Sequence, residues 1–374
     1  MNKIWRIKAV ARLGVMAVAL WGASSEVWAA PMGVCSNCHV MHASQLGQLG
    51  VTYTPQDFLL KTGCLGCHTG TNAVGLGTVA GTIPYVLDTV APVYGGAGNT
   101  SLAGGNFWYS NSSAQSGTQS ERYGHNPIEL GAADSKLTAP PGWKATGFAA
   151  NDQVGTIDAT HPLSCAGTYG CHGNHDATGI QKAHHTNTTG VANATAGVLG
   201  TSYRFLKNIQ GYEADDYELQ PTTAASHHNV YFGAQRSTNN DLSNNHTISY
   251  LCAECHGIFH TGQAVNEGLK PNPTDALGSP WIRHPVDFEM SNAAGYEEAA
   301  YVYTPNVPVG TYVAPTAGAN LADPTVGRIV MCVTCHRAHA SPYPEALRWD
   351  MTTMIAGGSP GNTNGCFACH TTKN

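Results

Sequence analysis

The twelve cysteines of this 374-residue chain limit its folding more than any other feature. Ten of them lie in five C-x-x-C-H segments: Cys35-Ser-Asn-Cys38-His39, Cys64-Leu-Gly-Cys67-His68, Cys252-Ala-Glu-Cys255-His256, Cys332-Val-Thr-Cys335-His336 and Cys366-Phe-Ala-Cys369-His370. The last two, Cys165 and Cys171, are separated by five residues, and His172 follows directly. No cysteine is left for a disulfide or a free thiol. Two thiols at i and i+3 with an imidazole immediately after are the attachment pattern of haem c. The thiols add to the two vinyl groups of the porphyrin, and the adjacent histidine falls under the iron as its proximal ligand. A single C-x-x-C fits a zinc knuckle or a dithiol redox pair equally well. Five in one chain, with no orphan cysteine, do not. For the irregular pair the alternative is a plain disulfide, which an oxidising compartment allows. Haem is preferred there because His172 follows Cys171 and His175 trails it as other histidines trail the regular motifs. The longer spacer asks the loop 166–170 to bulge, and Gly167 and Gly170 help it do so. The cofactor expectation is six haem c, or five if the irregular pair carries none.

Eighteen histidines set the axial ligands. His39, His68, His172, His256, His336 and His370 are proximal. Twelve others remain for six distal positions, so every iron has two histidines available. One class of distal candidate trails a motif: His42, His175, His260 and His339. The other is remote: His125, His161 and His284. His339 cannot easily reach the far face of the haem at Cys332–His336, because the porphyrin lies between; it is placed to serve a different haem. His184, His185, His227, His228 and His246 read as solvated loop histidines. Methionine also ligates haem iron, and Met41 and Met331 lie close to motifs, but histidine is abundant. Two histidines per iron leave no open position for a substrate. That favours electron transfer over catalysis, and no enzyme is expected. No C-x-x-C-K, nucleophile elbow, phosphate-binding loop or dinucleotide fingerprint occurs.

Residues 1–29 read as a secretory signal peptide. Lys3, Arg6, Lys8 and Arg12 precede a short apolar core from Leu13 to Ala23, and Val27-Trp-Ala29 offers small residues for cleavage after Ala29. A retained anchor is the alternative, but the core is shorter than the ~20 residues of a membrane span. No later segment is apolar for that length. The exported chain, 30–374, is expected outside the cell or on its outer surface, reached through the periplasm. The net charge of −6 becomes more negative once the four cations of the signal leave with only Glu26. A basic footprint for nucleic acid is missing. Charged residues are 11 % of the chain, against a usual ~25 %. Long stretches rich in Gly, Asn, Ser and Thr, such as 95–120, carry no helical or strand period. The expected fold is a haem-organised, loop-rich, elongated single domain with short helices, few strands and little regular secondary structure. Porphyrin faces supply apolar surface that side chains do not, and the haem-free protein should not fold.

Some local elements are readable. Thr54, Pro55 and Asp57 start a short helix that Gly63 ends before Cys64. A second helix is expected after Ser341-Pro-Tyr-Pro, with Leu347, Met351 and Ile355 on one face. Short strands are expected at Tyr301-Val-Tyr303 and Thr311-Tyr-Val313. Stretches 69–164, 176–251 and 261–331 would insulate the haem row as loops.

The motif order resembles the OmcS-type hexahaem cytochromes, which form extracellular filaments. The matching residues are Cys-His39-Val-Met-His42, Gly-His125-Asn, Cys-His172-Gly-Asn-His175, Cys-His256-Gly-Ile-Phe-His260, Arg-His284-Pro, Cys-His336-Arg-Ala-His339 and the closing Cys366–His370. The Cys165–Cys171 spacing departs from the regular motif. The resemblance implies a continuous row of bis-histidine haems in alternating stacked and T-shaped contact. It also implies that one distal ligand crosses between subunits: His42 would reach the iron at Cys332–His336 of the next copy. Such a contact is heterologous and builds an open filament. Other partners would be redox proteins and extracellular electron acceptors. A monomeric electron shuttle, with His42 bound inside its own chain, is the alternative function, and a multihaem reductase with a five-coordinate haem is a third. Cys171→Ser is expected to lower the holo-protein mass by one haem; an unchanged haem count by mass spectrometry would remove the irregular pair from the set.

Overall fold

The computed structural model describes residues 34–39, 59–72, 83–94, 98–111, 120–131, 139–143, 157–173, 201–202, 205–206, 209–212, 217–219, 228–235, 244–261, 284, 286–290, 297–312, 327–358 and 361–373. The signal segment, Met41, His42, His175, His184, His185, His227 and the expected helix start at Thr54 lie outside them.

The described chain is loop-rich. Three α-helices occur: α1 (Cys64–His68), α2 (Ile248–Thr261) and α3 (Cys332–Cys335). All three carry a haem motif. The motifs at Cys35 and Cys366 sit on 3-10 turns, Cys35–Asn37 and Gly365–Ala368. A C-x-x-C segment needs its two sulfurs on one side, and a single helical turn supplies that. α2 is capped by Thr247, whose hydroxyl accepts the Tyr250 N–H at 3.1 Å. The helix is interrupted at His256 (φ −111°, ψ 41°), so the proximal imidazole leaves the helical course there.

Strands are short and few. β1 (Ser164–Ala166) and β2 (Gly170–His172) pair in parallel across the irregular motif. β3 (Thr201–Ser202), β4 (Gln210–Tyr212) and β5 (Val230–Tyr231) form an antiparallel sheet in that order. β6 (Phe288–Glu289), β7 (Gly310–Thr311) and β8 (Arg328–Val330) form another, with β8 in the centre. The stretches expected to be insulating loops therefore contain small sheets. Tyr301–Tyr303 is not a strand; Tyr301 and Tyr303 are instead buried core side chains.

The side-chain core gathers around β8. Alternation along a strand sends neighbours to opposite faces. Val330 joins Met290, Tyr301, Tyr303, Val307, Val309, Trp349 and Ala368 on one side. Ile329 and Met331 join Ile209, Tyr231, Ile248, Leu251 and Val333 on the other. β8 runs straight into α3, so the motif at Cys332 is fixed by the best-packed strand. Met331 is fully buried in this cluster, packed among core side chains.

Two further expectations fail. The helix after Ser341 is replaced by 3-10 turns at Pro344–Ala346 and Met351–Thr353. Pro342 and Pro344 restrict the backbone here, Glu345 sits at φ 60°, and Asp350 caps a new turn through the Thr352 N–H. Met351 and Ile355 are exposed, while Arg348 and Trp349 are buried. The apolar period at 347, 351 and 355 was thus not a buried face. Second, His228 is not a solvated loop residue: it is wholly buried against the Tyr303 ring, 5.0 Å between centroids. Its Nδ1 lies 3.1 Å from the Asn229 carbonyl oxygen.

Burial pushes the His228 imidazole below its ordinary value. The unfolded chain therefore binds a proton on this residue that the folded chain refuses. Stability that is complete above pH ~6.5 is lost as pH falls, at up to ~1.4 kcal/mol per pH unit for this group. His228→Gln is expected to flatten the acid limb of a urea-unfolding series between pH 7 and 5 by about one proton; an unchanged slope would contradict the assignment.

Candidate functional site

The six cysteine pairs lie in space in the order of the sequence. Burial raises the Cys67 thiol, and neighbouring Cys38 raises it further. The Cys165 thiol is hydrogen-bonded to Cys64, which lowers Cys64 and raises Cys165. The Cys252 thiol is hydrogen-bonded to Cys332, and burial and the nearby Cys171 raise it too. Burial, then Cys171, raise Cys255. Burial lifts Cys335 to about 12, with Cys366 and Cys369 contributing. Each pair thus has its sequence neighbours among its spatial neighbours, and the six follow one another in chain order.

The irregular pair belongs to that series. β1 and β2 align Ser164 with Gly170 and Ala166 with His172, which brings Cys165 and Cys171 level on adjacent strands. The intervening loop turns at Gly167, φ 83°. A Cβ on Gly170 would stand 2.5 Å from the Ala166 nitrogen, so the strands approach this closely only with glycine there. The bulge expected from the sequence is a tight parallel turn. Cys64, Glu129 and Cys165 also form a group of possible metal donors within 4.8 Å of one another. Both cysteines are first members of haem motifs, so a metal ion here would compete with attachment at two sites.

Histidine orientation decides whether the residues fit haem. An imidazole binds iron through Nε2 when Nδ1–H is held by an acceptor. His68 Nδ1 lies 2.8 Å from the Pro84 carbonyl oxygen, His256 Nδ1 2.6 Å from that of Pro141, and His336 Nδ1 2.8 Å from that of Glu345. His370 Nδ1 lies 3.4 Å from Glu297 Oε2. Among the remote candidates, His125 Nδ1 lies 2.7 Å from the Ala338 carbonyl oxygen. The donor set and its tautomers suit covalently attached haem.

Three imidazole pairs have the spacing a shared iron requires. Two rings on one metal, with each nitrogen ~2 Å from it and each centroid ~1 Å further back, have centroids about 6 Å apart. His125 and His256 are 6.0 Å apart, His172 and His339 6.1 Å, and His284 and His370 6.3 Å. Burial first, then the facing imidazole, brings His256 down to about 4 and His339 to about 3. Both are neutral at pH 7, as ligands must be.

His339 is placed by backbone packing. Its N–H donates to the Gly104 carbonyl at 2.6 Å, and its carbonyl accepts the His125 N–H at 2.9 Å. Its ring stacks on Phe107 at 4.6 Å. Ala340 is bridged to both Gly105 and Gly124. A Cβ on Gly105 (φ 88°) would meet the Ala340 oxygen at 1.9 Å. Arg337 tightens the same junction, donating to the Ala103 carbonyl at 2.7 Å and the Tyr94 hydroxyl at 2.7 Å.

Other candidates are less directly arranged. His161 lies against Asp158 at 3.2 Å and beside Tyr169 of the irregular loop. His260 Nε2 lies 2.8 Å from Asp287 Oδ2, both side chains buried. That nitrogen is occupied by a carboxylate, so the structure ties His260, in the last turn of α2, to Asp287 in a buried pair. His336 is exposed at its surface side, and burial first, with His125 contributing, holds its imidazole below the ordinary value. Sequence reading missed the acceptors that orient the rings. Four of the five are main-chain carbonyls, whose residue type leaves no signal.

The family model for a doubled CXXCH motif matches residues 325–374, which hold the motifs at Cys332 and Cys366. The curated protein C-type cytochrome OmcS of Geobacter sulfurreducens is 26 % identical over 408 residues, covering 94 % of this chain and 88 % of that protein. The solved structure of the outer membrane cytochrome S filament from Geobacter sulfurreducens matches with a TM-score of 0.51 at 20 % identity, covering 88 % of this chain and 86 % of that chain. In sequence and in fold the chain is similar to OmcS-type multihaem c-type cytochromes. Among the described residues, no helix is long and apolar enough to cross a membrane.

Proposed function

We propose that this protein carries electrons outside the cell along six covalently bound haem c groups and polymerises head to tail into a filament. Haem c supplies iron that alternates between ferric and ferrous states. The chain supplies the attachment, the axial ligands and the order. Cys35/Cys38, Cys64/Cys67, Cys165/Cys171, Cys252/Cys255, Cys332/Cys335 and Cys366/Cys369 hold the groups. His39, His68, His172, His256, His336 and His370 ligate from the proximal side. His339, His125 and His284 ligate opposite His172, His256 and His370. His42, His161 and His175 are the candidates for the other three positions.

The single observation that carries this reading is the trio of imidazole pairs at 6.0–6.3 Å, each joining a motif histidine to a histidine from another segment. Full coordination leaves no site for a substrate, which favours a carrier over a reductase. The filament is supported by similarity to the outer membrane cytochrome S filament, and by the exposure of His336. His42 of a neighbouring subunit would complete that site, making polymerisation a coordination event. The signal at 1–29 would take the chain through the periplasm before assembly. Redox proteins and external acceptors would be its partners.

His339→Ala is expected to convert one of six haems to a high-spin spectrum, read by magnetic circular dichroism, with haem content unchanged; six low-spin haems would contradict the pairing. His42→Ala is expected to keep six haems and abolish filaments in negative-stain images. Filaments of normal length in that variant would sink the crossed ligand.

A further inference from the structure

We infer that Glu129 is a shared charge between the second and third haem sites, positioning Cys165 and setting the reduction potentials of both groups together. The inference rests on the six-haem reading above.

Glu129 lies in the 3-10 turn Ile128–Leu130. Pro127 leads into that turn, and the Ile128 N–H donates to the Leu163 carbonyl at 2.7 Å. The turn is therefore tied to the strand that carries Cys165. Both Glu129 oxygens accept the Cys165 N–H, at 3.1 Å each. The same carboxylate lies with the Cys64 and Cys165 sulfurs in a group whose atoms are all within 4.8 Å of one another. Cys64 belongs to the second motif and Cys165 to the third. One half-buried negative charge thus stands at the contact of two attachment sites. Glu129 is part of a segment, 124–131, that also presents His125 opposite His256 and bridges to Ala340.

Two consequences follow from electrostatics. A carboxylate stabilises the ferric form, which carries one more positive charge than the ferrous, so it lowers the potential of a nearby haem. Being close to both sulfurs, it lowers both in the same direction. The two neighbours then stay near each other in energy, and a hop between them is not made uphill by the charge. The N–H hydrogen bonds have a separate effect: they hold the first sulfur of the long-spaced pair in place, where a regular C-x-x-C turn is missing.

The test is spectroelectrochemical titration of the holo-protein and of Glu129→Gln, with haems counted by intact mass. Glutamine keeps an acceptor for the Cys165 N–H and removes the charge. The expected result is six haems in both proteins, with two of the six one-electron steps moved to more positive potential. In a Cys165→Ser/Cys171→Ser background only one step should move. Six haems with superimposable titrations would overturn the inference and leave the six-haem reading intact. Five haems in the unmutated protein would overturn both. If Glu129→Gln loses a haem, Glu129→Asp decides: recovery of the haem and of the wild-type potentials supports the shared carboxylate, and recovery of neither overturns it.

Discussion

The haem sites of this molecule depend on what holds the far nitrogen of five imidazoles, those of His68, His125, His256, His336 and His370. Iron takes a histidine through one nitrogen, and the other must be tied down if the ring is to stay in one tautomer and one plane. Here the ties come from main-chain carbonyls at Pro84, Pro141, Ala338 and Glu345 and from the Glu297 carboxylate. Pro84 and Pro141 lie 16 and 115 residues from the rings they hold, Ala338 lies 213 residues from His125, and Glu345 follows His336 by nine. The loops are thus not filler between haems. Each must arrive at a set place and offer an oxygen there. This explains how a chain so poor in helix and strand holds defined positions: its segments are cross-tied through the ligands.

The ordinary core is local. It surrounds β8 and the last two motifs, with Ile329, Val330 and Met331 filling both faces of a three-stranded sheet. Towards the first motifs, polar ties take over: Asn72 donates to the Tyr85 and Thr100 carbonyls, and Asn106 donates to Asp88. Such buried amides are worth having only when fully bonded, which fits a chain with 11 % charged residues and many Asn, Ser and Thr. The family match confined to residues 325–374 falls on the best-packed part.

The cysteines made the attachment chemistry legible, because covalent haem binding needs fixed residue types at fixed spacing. His339, His125 and His284 could be named as candidates, since a trailing or loop-borne imidazole is visible in the sequence. Which haem each one serves was not, because partner choice depends on the fold. His228 differs in kind from its sequence reading: burial is a property of packing, and nothing in His227-His228-Asn229 announces the Tyr303 ring. The helix expected at 341–355 failed because apolar spacing was weighed over two prolines. Glu129 was invisible, since a lone acid in Pro-Ile-Glu-Leu gains meaning only when two distant cysteines meet beside it.

The most direct measurement is cryo-electron microscopy of material sheared from cells that express this protein. The expected density is a filament with six haems per subunit in an unbroken line, His339 opposite His172, and His42 of one subunit on the iron held by Cys332–His336 of the next. Dispersed monomers, with His42 bound within its own chain, would contradict the filament and leave a soluble carrier.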